Sequence, residues 1–186
     1  MNHNVNRFEN PERLAELSPA KTLIKIGLED GMTLCDIGAG SGIFSVAAAK
    51  ITTAKVFATD INPEMLSVIA EKANAQGLKN IQTAHSSGIS FDLPDACCDI
   101  ALMVTVLHEI DEKVMFIAEM KRILRTDGTL AVIEFHKRKT PMGPPEAHRL
   151  GIDDVAALVQ GCGLHEKRRF DLGDNFYCIL FENRMK

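Results

Sequence analysis

Thr33-Leu34-Cys35-Asp36-Ile37-Gly38-Ala39-Gly40-Ser41-Gly42 is the stretch that decides the fold. A short apolar run of strand length stops in a glycine-rich turn, and the alanine-rich residues 43–50 continue with helical character. Strand, glycine turn and helix in that order open a parallel α/β unit. Residues 55–60 supply the next strand, which closes on the acid Asp60. Asn62-Pro63-Glu64 then provides an N-cap, a proline at the first helical position and an acid in the first turn, and Gly77 supplies the stop.

Working outward, residues 14–27 carry apolar positions at helical spacing around Ser18-Pro19 and read as one opening helix. Residues 81–84, 99–105 and 129–135 read as further strands. A helix over 111–125 is expected between the last two, with Val114, Ile117, Ala118, Lys121 and Leu124 along its apolar stripe and Gly128 beyond its end. Residues 140–145 hold three prolines and a glycine, too constrained for regular structure, so they form a loop over the sheet's carboxyl edge. A last helix over 152–161 and two strands over 164–171 and 175–182, joined as a hairpin, finish the chain. The class is α/β, a doubly wound Rossmann-like sheet. In such sheets ligands sit at the carboxyl ends of the strands where strand order reverses.

At 186 residues the chain suits one domain, with residues 1–18 as an N-terminal extension and 19–182 as the core. With 46% hydrophobic and 25% charged residues it has a globular composition. Its apolar runs are too short to cross a bilayer, and Met1 to Arg7 lacks the apolar segment of a secretory leader, so a cytoplasmic protein with no membrane partner is expected. A net charge of −4 gives no drive toward nucleic acid. The basic runs 136–139 and 167–169 read as a solvated loop and a strand edge. The odd number of cysteines, five, favours structural thiols. The adjacent Cys97-Cys98 has no CxxC or Cys/His partner spacing, so no metal site is expected, and cysteines so scattered make a trithiolate arsenic site unattractive.

The glycines of the bend lie two and two apart, unlike the G-x-G-x-x-G spacing that opens a helix N-terminus to a pyrophosphate. Asp36 decides between ligands. A carboxylate beside the bend repels a phosphate but favours a ligand carrying an ammonium and a sulfonium, and S-adenosylmethionine carries both. Asp60, at the end of the second strand, can accept hydrogen bonds from both ribose hydroxyls, a feature of dinucleotide and adenosylmethionine sites alike.

Through these residues, with Asp60-Ile61-Asn62-Pro63-Glu64-Met65, Leu93-Pro94-Asp95 before Asp99, Leu107-His108-Glu109, and Met120-Lys121-Arg122-Ile123-Leu124 before Asp127-Gly128, the chain resembles the class I S-adenosylmethionine-dependent methyltransferases. Within them it looks like the type-11 and ubiquinone/menaquinone-biosynthesis group, from about Pro19 to Glu182. The resemblance implies a seven-stranded sheet ending in an antiparallel hairpin, with neither NAD nor a metal. It also implies that Asp36 and the amides of Gly38, Ala39, Gly40, Ser41 and Gly42 line the methionine part, with Asp60 on the ribose and Ile61 over the adenine. Val104, at the end of the fourth strand, joins this cofactor set. Where many members place an acid that accepts the adenine amino group, this chain reads His85-Ser86-Ser87-Gly88, and Ser86 is the candidate replacement beside the alternative of a plain surface turn.

On the acceptor side the candidates are His108, Glu109, Glu134 and His148, with Arg149 beside the last. His108 is a candidate base against the alternative that it caps or packs under the next helix. Glu134 ends an apolar strand, so it either faces the pocket or bonds His148 or Arg149. Tyr177 is expected in the core, as are Met65 and Met103. Residues 103–106 lack the Asn/Asp-Pro-Pro-aromatic motif that resembling families use on the amino groups of bases, which leaves a small-molecule acceptor. Two other readings stay open: an adenosylmethionine-binding module without catalysis, and an NAD(P)-dependent oxidoreductase, against which Asp36 and the glycine spacing argue. Oligomeric state is not legible.

Overall fold

The computed structural model describes residues 9–184, so Met1 to Arg7, read above for a leader, lie outside the described residues. Seven strands form one sheet in the order β3-β2-β1-β4-β5-β7-β6. They are β1 Leu34–Ile37, β2 Val56–Asp60, β3 Ile81–His85, β4 Cys98–Val104, β5 Leu124–Phe135, β6 His165–Leu172 and β7 Phe176–Glu182. The first five pair in parallel, while β7 runs antiparallel to both β5 and β6. Strand order reverses between β1 and β4, which opens a crevice at their carboxyl ends.

Six α-helices cover the sheet among the described residues: α1 Pro11–Leu17, α2 Pro19–Ile26, α3 Ile43–Ala49, α4 Pro63–Ala75, α5 Lys113–Ile123 and α6 Ile152–Gly161. None is long and apolar enough to cross a membrane. Strand side chains alternate between faces. Leu34, Ile100 and Leu102 therefore pack with Leu23 of α2 and Phe44 of α3, and Cys35, Ala101 and Met103 with Phe116 of α5 and Val155 of α6.

The single opening helix expected over 14–27 is two helices. Proline at 19 cannot donate to a preceding turn and disfavours helical geometry at the residue before it. Ser18 accordingly turns left-handed, at φ 37°, between α1 and α2. The stripe expected on α5 is also rotated. Phe116, Ile117, Met120 and Ile123 are buried, whereas Val114 is 61% exposed. The chain passes from α5 into β5 at Leu124 rather than at Thr129, because Leu124 already pairs with Cys98 of β4.

Residues 86–97 cross from β3 to β4 without a helix. Arg122 of α5 holds them by donating to the carbonyls of Leu93 and Phe91, and Glu119 accepts the Phe91 amide. That crossing corrects the expectation of scattered cysteines. Because β4 lies beside β1, Cys97 and Cys98 at the end of the crossing meet Cys35.

Candidate functional site

A cleft of about 510 Å³ opens at the carboxyl ends of β1, β2 and β4, within the range of small-ligand sites. Its tight floor is the glycine bend. Gly38 has φ 65°, and a Cβ there would stand 2.6 Å from Val106 Cγ2. Gly42 has φ 78°, and its Cβ would stand 2.7 Å from Ile69 Cγ1 of α4. The first glycine keeps the cleft open and the second lets the helices close.

The amides of the bend are not a simple cradle. Ala39 N donates to Thr59 O over 2.8 Å, Gly40 N to Asp60 Oδ2 over 2.8 Å, and Gly42 N to Ala39 O over 2.9 Å. Gly42 lines neither the cleft nor the small cavity beside it. With three amides committed to the protein, the bend is poor in donors for a diphosphate. What the site offers instead is negative charge. Asp60, which lines the cleft, accepts Gly40 N on Oδ2 and Asn62 N on Oδ1, each 2.8 Å away. Each of its oxygens keeps a lone pair for a hydroxyl donor.

Asp36 is buried at the end of β1 and lines the adjoining cavity with Gly38, Ala39, Gly40, Ser41 and Val104. Ser45 Oγ donates to its Oδ2 over 2.6 Å. Burial pushes the Asp36 carboxyl up from 3.8 to about 6, against the opposing bond from Ser45. A cation set beside it would restore the charge. Ser41 Oγ, buried in the same cavity, has no hydrogen-bond partner among the described residues, a polar atom placed for a ligand.

Arg13 of α1 enters both the cleft and this cavity, although residues 1–18 read as an extension in the sequence. Its Nη2 donates to Thr105 Oγ1 over 3.1 Å, and its guanidinium lies 5.6 Å from the Phe176 ring centroid. The site thus pairs a buried acid with a cation, a match for the amino-acid end of adenosylmethionine. At the other end Ile61 is 64% exposed at the cleft rim, and Met65 of α4, expected as core, is buried yet lines the cleft. Ser86 lines the cleft and is buried, so it is no surface turn; its hydroxyl accepts Gly88 N at 3.1 Å.

Across the cleft, β4 ends at Val104 and the chain makes a 3-10 turn over Leu107–Glu109. His108 and Glu109 both line the cleft. His108 Nδ1 lies 2.8 Å from Glu134 Oε2, and its amide donates to Glu134 Oε1. Glu134, 1% exposed, therefore bonds neither His148 nor Arg149, and it stands behind His108 rather than in the cleft wall. Parallel register explains this: Val104 pairs with Ile133, so the next residue of β5 meets the turn that follows β4.

His148 is exposed on a 3-10 turn over Glu146–His148 and does not line the cleft, which removes it from the site. Arg149 is buried and donates to the carbonyls of His136, Arg138, Met142 and Pro144 and to Thr140 Oγ1. It fixes the loop whose Met142, Gly143 and Pro144 cover one side of the cleft. Phe91, Ile110, Phe116 and Phe135 complete an apolar wall. Tyr177 and Met103 are core residues; the Tyr177 hydroxyl donates to Leu150 O over 3.0 Å.

The fold and cleft define an α/β enzyme that takes an adenosyl cation donor. Residues 35–132 match the methyltransferase domain family of type 11, and the chain belongs to that family. It is a class I S-adenosylmethionine-dependent methyltransferase, and S-adenosylmethionine is its cofactor. The ubiquinone/menaquinone biosynthesis C-methyltransferase UbiE of Shewanella halifaxensis (strain HAW-EB4) is 31% identical over 119 residues, 62% of this chain and 47% of the relative. That of Laribacter hongkongensis (strain HLHK9) is 31% identical over 125 residues, 66% of this chain and 51% of the relative. The chain spans about half the length of these curated relatives. Among solved structures, a SAM-dependent methyltransferase from Aquifex aeolicus is 29% identical with a TM-score of 0.90, each chain covered to 96%.

Proposed function

We propose that the chain methylates a small molecule whose nucleophile forms by loss of a proton to His108. The observation that carries this reading is the His108–Glu134 pair, which sets an imidazole in the cleft wall with its Nδ1 engaged and a buried carboxylate behind it. An Nδ1–H bonded to Glu134 leaves Nε2 as the basic nitrogen, and the carboxylate stabilises the imidazolium that protonation produces.

Bound adenosylmethionine supplies a methyl group on a cationic sulfur. Asp36 and Arg13 are the residues for its ammonium and carboxylate, Asp60 for its ribose hydroxyls, and Ile61 for its adenine face. The acceptor then lies between the apolar wall and His108. His108 Nε2 would take the acceptor's proton while the nucleophile stands in line with the methyl group that bound adenosylmethionine would supply, S-adenosylhomocysteine being the product. Most of the acceleration comes from holding the two molecules aligned, with the base adding to it.

The UbiE relatives are named as C-methyltransferases of ubiquinone and menaquinone biosynthesis. A flat ring whose hydroxyl is deprotonated, raising the electron density of a neighbouring ring carbon that gains the methyl group and then loses its own hydrogen as a proton, suits both that chemistry and the apolar wall. The test is S-adenosylhomocysteine release with hydroxylated aromatic acceptors, compared with the same rings lacking the hydroxyl. Turnover confined to the hydroxylated set is expected. Equal turnover of both sets would overturn the base-dependent reading.

A further inference from the structure

On the sheet face away from Asp36, three thiols converge. The sulfurs of Cys35, Cys97 and Cys98 all lie within 4.8 Å of one another. Cys35 and Cys98 are fully buried, and Cys97 is half-buried at the end of the crossing from β3 to β4. None of them lines the cofactor cleft or its side cavity. We propose that these three cysteines form a three-thiolate binding site for copper(I), reached from solvent through Cys97.

The geometry fits a single ion. A metal bonded to three sulfurs at roughly 2.3 Å in a plane needs sulfurs about 4 Å apart, within the spread found here. Among the described residues no fourth histidine, cysteine or carboxylate joins the group. A structural zinc ion takes four ligands. Three soft sulfurs packed among core side chains suit instead a soft cation of low coordination number, and thiolate ligands select copper(I).

The local chemistry is consistent with capture. Of the three, Cys97 is the half-buried one, with Cys35 and Cys98 enclosed behind it. Cys97 is thus the sulfur an incoming ion meets first. The Cys98 thiol donates to Ile123 O over 3.4 Å. Binding of copper(I) therefore forms three sulfur–copper bonds and releases the thiol protons to solvent, with no change of oxidation state.

Arrangement, not sequence spacing, makes the site. Cys35 comes from the middle of β1 and Cys98 from the start of β4, and the sheet sets the two strands side by side. Cys162, on the end of α6, lies outside the cluster and serves as the control thiol.

The experiment is an anaerobic titration of the reduced full chain with copper(I) buffered by bicinchoninate. One copper(I) per chain withdrawn from the chelator is expected, with three sulfur neighbours in its X-ray absorption spectrum. Cys97→Ser should weaken binding at least about 100-fold while retaining adenosylmethionine binding, which reports that the variant is folded. Cys162→Ser should bind copper(I) as the parent does. Copper(I) left with the chelator, equal affinity in Cys97→Ser, or fewer than three sulfur neighbours would each overturn the proposal. Should Cys97→Ser fail to fold, the sulfur count on the parent chain still decides.

Discussion

His108 Nδ1 stands 2.8 Å from Glu134 Oε2, joining the turn after β4 to the penultimate residue of β5. Two strands of the sheet thereby fix one imidazole. Under the proposed reading, His108 as general base would contribute roughly 10²–10⁴-fold to turnover. His108→Ala is expected to lose that much in kcat, with adenosylmethionine affinity within about twofold of the parent. Glu134→Gln replaces a charge-assisted bond with a neutral one, a difference of about 1.5 kcal/mol or roughly tenfold. Steady-state kinetics beside calorimetric titration with the cofactor check both variants. Full turnover in His108→Ala would remove the base from the mechanism.

Asp60 has two duties that one substitution separates from the rest of the site. Its carboxylate orders the bend by accepting the Gly40 and Asn62 amides, and it presents the remaining lone pairs to the cleft. Asp60→Ala should weaken cofactor binding by about 100-fold or more, since each hydrogen bond to a charged group contributes about 1.5–3 kcal/mol. It should also lower stability by about 1–3 kcal/mol through the unpaired amides. Asp60→Asn is expected to fare little better, because its amide nitrogen must face one of the two backbone N–H groups. Calorimetry and thermal melts measure the two effects, and unchanged cofactor affinity in Asp60→Ala would refute the ribose assignment.

Asp36 couples stability to pH with an unusual sign. The native chain holds a proton on it up to about pH 6, whereas an ordinary aspartate releases it near 3.8. Since the native state binds more protons in that window, this group's stabilising contribution is fully present below about pH 4, declines as pH rises to about 6 and stays lost above. The shift corresponds to about 3 kcal/mol. Asp36→Asn keeps an acceptor for Ser45 and removes the buried charge, so its melting temperature should exceed the parent's by several degrees at pH 7.5 and match it near pH 4. Cofactor affinity should move oppositely, falling in the parent below pH 6 and low at every pH in the variant. Melts that differ equally at both pH values would show that Asp36 is ionised throughout.

The parts of this molecule that were legible in the sequence are those whose causes are local. The turn after β1 announces itself through glycines at positive φ, and α4 through the Asn62 cap and Pro63, so the residues that line the cleft after β1 and β2 could be placed from the sequence. The rest depends on which strand lies beside which. Nothing near Glu134 in the sequence points to His108, 26 positions away, and His148 and Arg149 are closer in sequence but lie elsewhere. Cys35 and Cys98 are distant in sequence and meet only because β1 and β4 adjoin. Arg13 was missed for a related reason: a helix before the first strand has no pattern that tells whether it folds back over the cleft. The rotated stripe of α5 shows that apolar periodicity gives a helix, while the sheet beneath it chooses the face.

Arg149 fixes the loop just before it in the chain, reaching back 5 to 13 residues with a single side chain. Its planar guanidinium fans into five hydrogen bonds with the loop from His136 to Pro144, at 2.7 to 3.1 Å, and lies 5.1 Å from the Phe135 ring centroid. Arg149→Met keeps much of the volume but leaves those carbonyls to find water, which they can do only if the loop lifts. A stability loss of about 2–4 kcal/mol is expected, or roughly 6–12 °C in a chain of this size. Because Met142, Gly143 and Pro144 cover the apolar side of the cleft, the acceptor's KM should rise more than kcat falls, with cofactor affinity nearly unchanged. Arg149→Lys restores the charge as a point donor that reaches one or two of the acceptors, so it should fall between the two. Melting curves and acceptor-dependent kinetics of the three proteins decide the matter: identical KM values would mean that the loop takes no part in holding the acceptor.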